Sequence, residues 1–539
     1  MGKLIYHVTK ELPGEHGIGK KTIALIVSRF MTIIFLLWLY LFLVAVSSSC
    51  ANAQTSEHKI DFKAIDNYIA DKMRFPRIPG LAVAIVKDDK IVYFKGYGKA
   101  DSYGNPVTPQ TPFIIGSVTK AFTALAVMQL VEAGKVQLDA PVQRYIPWFS
   151  TTDSRAAAKI TVRQLLYHNS GLPMMREPQL WTEQDDQALE RTVRFLRNAK
   201  MNSEPGKSFK YSNANYETLG LIVQIVSGQS YEEYVKQHIF IPLDMQHSFV
   251  SQQEALQQGM ASGHRWWFGI PFPATLPYNR SELPAGYIIS SAEDIAHFVI
   301  AQMNGGRYGD SSVLSPEGIA ITHTEPSPNT FGMGWESVQS NGRTLVNFDG
   351  GTANFECSIF FDPGARVGVF VEANVMCALD AFSSPHGSDP LDGVTVRGMA
   401  QTVLSMVTNQ PLPDQGGGIR KSYIIFDLVL LTLTTVLVIS LARIPQRSRQ
   451  LKQHGIANRS SLLWRSGLVA ALHFLWPLFI LYLATKVLLW KVFMMMQPDL
   501  AYWLEAVAIV VFLKGLFELK LIWSTFRQTR RSPNPSQIQ

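Results

Sequence analysis

The chain has 539 residues, 47% of them hydrophobic, and carries 49 Lys and Arg against 42 Asp and Glu, a formal charge of +7. That length holds one large domain or two ordinary ones with additions. The positive charge is concentrated, with Arg443, Arg447, Arg449, Lys452, Arg459 and Arg465 in one acid-free stretch and Arg527, Arg530 and Arg531 in the tail; the rest is slightly acidic, which excludes the spread basic face that nucleic-acid binding needs.

Lys20, Lys21 and Arg29 precede the apolar run "MTIIFLLWLYLFLVAV", and "SSSCANAQ" follows it. This order, ending in the small-x-small site Ala51-Asn52-Ala53, predicts an export signal over residues 1–53 and a mature chain from Gln54. An uncleaved anchor is the alternative, and Met31 an alternative start. Cys50 leaves with the signal, so Cys357 and Cys377 remain. They lie in "ECSIFFDPGARVGVFVEANVMC", which predicts a hairpin turning at Asp362-Pro363-Gly364. The two cysteines do not face each other across it, and their pairing stays open. Their spacing matches no metal site.

Residues 54–410 alternate strand and helix patterns without repeats. "LAVAIVKDDKIVYFKGYGKA" predicts a hairpin around Asp88-Asp89. "TALAVMQLVEAGKV" has helical periodicity and ends at a glycine. "NYETLGLIVQIVSG" predicts a second helix closed by Gly228, and "SSAEDIAHFVIAQMNGG" a third with a capping-box-like start. Late strands are expected in "FGMGWES", "RTLVNFDGG", "ECSIFF" and "RVGVFVEAN". Early strands, central helices and late strands together predict an α+β domain, its sheet built from both chain ends around a helical insert.

After a Pro/Gly-rich linker (411–422), the runs 423–442 and 467–490 are long and apolar enough to span a bilayer. A third run, 502–523, carries Glu505, Lys514, Glu518 and Lys520. The basic loop 443–466 should be cytoplasmic by the positive-inside rule, which puts the domain before it outside the cell membrane and the tail 524–539 inside. Because an unpaired charge in lipid is costly, Lys514 is expected to pair with Glu518 one turn on.

Two residues in "FIIGSVTKAFTALAVM" invite a chemical reading. Ser117 and Lys120 stand three apart and share one helix face. A serine hydroxyl is a poor nucleophile until something takes its proton. A lysine does so only where burial or nearby charge lowers its pKa, and the apolar residues after Lys120 provide burial. On spacing alone the signal is weak, and an N-cap serine with a surface lysine is the better reading.

The segments "FIIGSVTKAFTALAVMQLVEAGKVQLDAPVQRYIPWF", "ITVRQLLYHNSGLP", "GKSFKYSNANYETLGLIV" and "LPAGYIISSAEDIAHF" occur in that order. Together they resemble the β-lactamase-related serine hydrolases, which include class C β-lactamases, D-amino-acid-specific peptidases and carboxylesterases. The resemblance covers roughly 60–380 and implies a β-lactamase/transpeptidase-like fold. It implies Ser117 as the acylated nucleophile, Lys120 as its base partner and Tyr211 as a second proton-transfer residue. Asn213 would touch the substrate amide or Lys120, and His168 would be structural. A tyrosine with a pKa of about 10 is no base at neutral pH, so a lysine ammonium is expected to stabilise its phenolate.

One motif departs from the family. Relatives carry a basic residue in His-x-Gly or Lys-Thr-Gly on a strand lining the site. Here the strand reads "VNFDGGTANFECS", with Phe348 in the basic slot, or Asp349 if one residue is deleted. Gly350 and Gly351 persist, and the Gly351 N–H is expected to complete an oxyanion hole. Without a cation the site should disfavour carboxylate-bearing substrates, unless Arg280 supplies one. The reading is of a membrane-anchored, extracytoplasmic serine hydrolase without metal or cofactor. Its expected partners are a small-molecule or peptide substrate and the lipid bilayer, but no nucleic acid; oligomeric state stays open. A penicillin-recognising sensor or a pseudoenzyme is the alternative.

Overall fold

The computed structural model describes residues 59–74, 77–174, 184–275, 277–324, 331–376, 396–413, 418–454, 459–486, 490 and 498–531. The expected export signal and Cys377 lie outside these residues. Helix α1 (Phe62–Arg74) precedes the hairpin of β1 (Gly80–Lys87) and β2 (Lys90–Gly98). It turns at Asp88-Asp89 as its pattern predicts, with Asp88 at φ +56°. A short strand, β3 (Phe113–Ile114), leads into α2 (Thr119–Glu132). The insert holds α3 (Asn213–Ser227), the hairpin of β4 (His264–Trp267) and β5 (Ile270–Pro273), the short β6 (Ile289–Ser290), and α4 (Ala292–Met303). Gly228 ends α3 in the left-handed region at φ +75°. Ser291 caps α4 through the Asp294 N–H, while the Asp294 carboxylate accepts bonds from His247 N–H and Ser248 Oγ.

The late strands are β7 (Glu336–Ser340), β8 (Arg343–Thr352), β9 (Phe355–Asp362) and β10 (Val367–Ala373). "FGMGWES" is a strand only from Glu336, because Gly334 at φ +84° turns the chain before it. The six-stranded sheet runs β2-β1-β10-β9-β8-β7, antiparallel throughout. The two chain ends therefore meet at β1 and β10, as the pattern implied. Alternation along each strand sorts side chains to two faces. Ala82, Ala84, Phe348, Ile359 and Phe370 join the core beneath α2, α3 and α4. Leu81, Val83, Phe360, Val369 and Val371 face α1 and α5 (Val396–Val407). Strand β7 pairs with β8 only from Arg343 to Asn347, so on that side β8 is unpaired by β7 from Phe348 onward.

Beyond the domain run α6 (Gly418–Ala442), α7 (Ile444–His454), α8 (Arg459–Ala470), α9 (Trp476–Lys486) and α10 (Pro498–Arg531). Among the described residues two helical stretches are long and apolar enough to cross a membrane, Asp427–Gln453 and Leu462–Leu483. The expected third is a helix of 34 residues and does not stand among these two. Glu505, Lys514 and Glu518 find partners inside the helix group. Lys514 Nζ lies 3.1 Å from Glu518 Oε1, as expected from the one-turn spacing, and 2.8 Å from His473 Nε2. Arg447 also reaches Glu518, at 3.1 Å, and Trp490 Nε1 donates to Glu505 at 2.8 Å.

Candidate active site

Strand β3 and the 3-10 turn Gly116–Val118 deliver Ser117 to the start of α2. The turn tightens ahead of the α-helix, and Lys120 Nζ comes within 3.1 Å of Ser117 Oγ. Lys120 is completely buried. Its ammonium donates also to the Ala285 carbonyl at 2.5 Å. Burial strips hydration from the charged form, and the pKa falls to about 7 although the Glu282 charge pulls the other way. A substantial share of Lys120 is therefore free amine near neutral pH. Ser117 itself remains partly exposed and reachable.

The Tyr211 hydroxyl donates to Ser117 Oγ at 2.7 Å. His168 clamps it from two sides. The His168 carbonyl accepts the Lys210 N–H at 2.7 Å, and its Nδ1 accepts the Ser212 N–H at 3.1 Å, so the residue between is fixed. The imidazole also stacks on the Tyr211 ring, 4.4 Å between centroids. Burial holds His168 well below its ordinary pKa, with Lys120 adding to the effect, so the ring stays neutral. The expected phenolate is corrected by these surroundings. Burial pushes the Tyr211 phenol above its ordinary range, and Glu336 adds to that against the Ser117 hydrogen bond. One apolar site disfavours charge on both partners, which leaves a neutral phenol beside an amine near its titration point.

Asn213 opens α3 half-buried. The two Lys120 hydrogen bonds go to Ser117 and Ala285 rather than to Asn213. On β8, Phe348 faces the site side. It is buried and packs edge-on to Phe331 at 5.1 Å, and Phe331 in turn lies 6.0 Å from Tyr211. An aromatic wall thus stands in the slot for which the family resemblance implied a cation. Asp349 is a correction to the sequence reading. Strand alternation turns it to the opposite face, where it accepts from Ser358 Oγ at 2.6 Å and pairs with Arg397 of α5. Arg280 is no substitute cation, because Glu232 at 2.8 Å and Asp186 at 2.6 Å hold it.

Gly350 and Gly351 bring β8 against the Ser117 turn. A Cβ on Gly350 would stand 2.0 Å from the Ile115 carbonyl oxygen. A Cβ on Gly116, which has φ +51°, would stand 2.2 Å from Gly351 N. The Gly351 amide therefore lies beside the residue preceding Ser117. Sequence reasoning passed over Gly116, Phe331, Glu282 and the Ala285 carbonyl. The glycine directly before Ser117 was the one available signal; a carbonyl partner leaves no trace in residue type.

Residues 65–382 match the Beta-lactamase family model. "Protein flp" of Staphylococcus aureus strain MW2 is 29% identical over 413 residues, covering 76% of this chain and 78% of that protein. "Penicillin-binding protein 4" of Amycolatopsis lactamdurans is 28% identical over 309 residues, 54% of this chain and 79% of that one. Among solved structures, the octameric penicillin-binding protein homologue from Pyrococcus abyssi aligns with TM-score 0.56 at 27% identity, over 67% of this chain and 81% of its own. The D-alanine carboxypeptidase AmpC from Burkholderia cenocepacia aligns at 0.50 and 25% identity, over 58% of this chain and 93% of its own. The chain belongs to the β-lactamase family of serine hydrolases and has its α+β fold.

Proposed function

We propose that this member of the β-lactamase family is a membrane-anchored serine hydrolase that works through an acyl-enzyme on Ser117. The observation that carries the reading is the convergence of Lys120 Nζ and Tyr211 OH on one hydroxyl, at 3.1 and 2.7 Å, with the amine buried. In the free-amine state Lys120 takes the proton of Ser117 as Oγ attacks an acyl carbon. The carbon–oxygen π bond opens, and the Ser117 and Gly351 amides receive the oxyanion. Tyr211 gives its proton to the leaving group as the bond to it breaks, and the Lys120 ammonium returns the proton taken from Ser117 to Tyr211, so both groups are neutral again in the acyl-enzyme. Water then reverses the sequence and releases the acid. Asn213 binds the substrate amide.

Phe348 bears on substrate choice. An aromatic wall gives a substrate carboxylate no charge-assisted partner, which favours neutral esters, amides or blocked D-amino-acid peptides over β-lactams. The carboxypeptidase neighbour and the penicillin-binding relatives support an amide or peptide class. The two apolar helices and the basic loop between them support anchoring, with residues 54–410 as the hydrolase domain, on the extracytoplasmic side. The alternative as a pseudoenzyme has its support in Phe348 alone. A fluorophosphonate probe with purified full-length protein tests the assignment. The wild type should label and turn over, and Ser117→Ala should not label; equal labelling of both overturns it.

A further inference from the structure

The β4–β5 hairpin carries an unusual surface. From Trp266 to Thr275 its sequence "WWFGIPFPAT" has no ionisable residue. Cross-strand pairing sets Trp267 opposite Ile270 and Arg265 opposite Phe272, so these four share one face. Trp267, Phe268, Ile270 and Phe272 are 39, 40, 46 and 51% exposed, a contiguous apolar tip rather than scattered residues. The other face is spoken for, with Trp266 buried in the core beneath α1 and α5.

What lies next to the tip identifies its partner. The Phe268 N–H donates to Asp499 Oδ2 at 2.9 Å, and the Trp267 ring lies 5.7 Å from the Tyr502 ring. Both partners belong to the first turns of α10. Trp503 follows and donates to Thr434 of α6 at 3.0 Å. The tip therefore sits against the start of α10, beside the aromatic pair Tyr502 and Trp503. Trp and Tyr concentrate at the level of a bilayer where a ring meets acyl chains and its polar edge meets headgroups. Arg265 on the same face has the long stem that suits a headgroup depth.

We infer that the β4–β5 hairpin is a membrane foot, its Trp267–Phe272 tip seated in the headgroup layer of the leaflet from which α10 starts. This rests on the membrane-anchored reading above. Two crossings return the chain to the domain's side before Pro498, so foot and domain lie on the same side. The foot also reaches the site. Asn354, three residues past Gly351, donates through Nδ2 to the Ala274 carbonyl at 2.8 Å, and its own carbonyl accepts the His264 N–H at 3.3 Å. The hairpin base thus fixes the β8–β9 turn, and the depth of the foot sets the height of the pocket rim over the lipid.

The test uses the full chain in phosphatidylglycerol–phosphatidylethanolamine liposomes, with nitroxides on Ile270→Cys and Phe272→Cys, and on Tyr103→Cys as an aqueous control. Tyr103 is 92% exposed. Unsubstituted protein supplies the background from native cysteines. Power saturation should show oxygen reaching positions 270 and 272 while a water-soluble nickel chelate reaches them several-fold less than position 103. Equal nickel access at all three positions overturns the foot. Spin–spin broadening at 270 that disappears on dilution with unlabelled protein also overturns it, in favour of a second copy. Alkaline carbonate extraction separates the premise: protein released from the liposomes sinks the anchored reading and the foot together, whereas retained protein with a nickel-accessible tip sinks the foot alone.

Discussion

Lys120 makes the proposed rate a titration curve. The free amine is the competent form, so kcat/KM should rise with pH through an apparent pKa of about 7 and then level. Lys120→Arg keeps the charge and cannot supply the base, and should cost roughly 10²–10⁴ in kcat/KM. The same burial has a stability signature. The folded pKa lies below the unfolded value of 10.5, so between pH 7 and 10.5 the unfolded chain binds more protons. Stability should therefore rise with pH across that window. Lys120→Met should flatten this rise in denaturant titrations at pH 7 and 9. Phe348→His should restore a cationic or hydrogen-bonding group on the site face. We expect the preference for a peptide acid over its amide to grow by about tenfold, the equivalent of one charge-assisted hydrogen bond; no change in that ratio would remove Phe348 from substrate choice. Ser117, Lys120 and Tyr211 were legible because each sits in a short linear motif. The choice between Phe348 and Asp349 was not, because it depends on which face of β8 each occupies, and a one-residue slip exchanges the faces.

At the scale of elements, the site is a seam between a turn and a strand that glycines allow to meet backbone to backbone. Gly350→Ala would force a Cβ to within 2.0 Å of the Ile115 carbonyl oxygen, and backbone cannot yield as a flexible side chain does. We expect a loss of about 1–3 kcal/mol in stability, the range for overpacking, with activity falling further as β8 retreats from Ser117. Thermal unfolding and fluorophosphonate labelling on one preparation measure both. The hairpins and α2, α3 and α4 were readable because their apolar periods of two and 3.6 face a single core. Helix α5 was not anticipated, although it covers the second face of the sheet. Its partner surface is assembled from β1, β9 and β10, which no local window contains. The early end of "FGMGWES" misread for a similar reason. Gly334 turns there because a Cβ would meet Ala121 Cα of α2 at 2.8 Å, a contact between distant segments.

For the molecule as a whole, the proposed topology predicts opposite behaviour at two junctions. Alkaline phosphatase, active only when exported, should be active fused after residue 413 and inactive fused after residue 454; the reverse pattern would overturn the outward-facing domain. Two of the three apolar runs expected from composition coincide with helices long and apolar enough to cross a membrane; the third is a long helix that does not stand among them. Apolar content suggests a lipid-facing helix, yet Glu505, Lys514 and Glu518 of α10 find their partners inside the helix group. Sheet topology has a temporal corollary. Gly80 and Asn374 are hydrogen bonded across 294 residues of chain, and Ser117 is finished long before the strand it works against is made. Such distant closure is slow. A nascent chain thus carries the Ser117 hydroxyl with no pocket around it, and on the proposed mechanism hydrolytic competence arrives only when the last strand docks. A fragment ending before β8 should be inert toward acyl probes, which on the proposed mechanism keeps Ser117 idle until synthesis of the domain is complete.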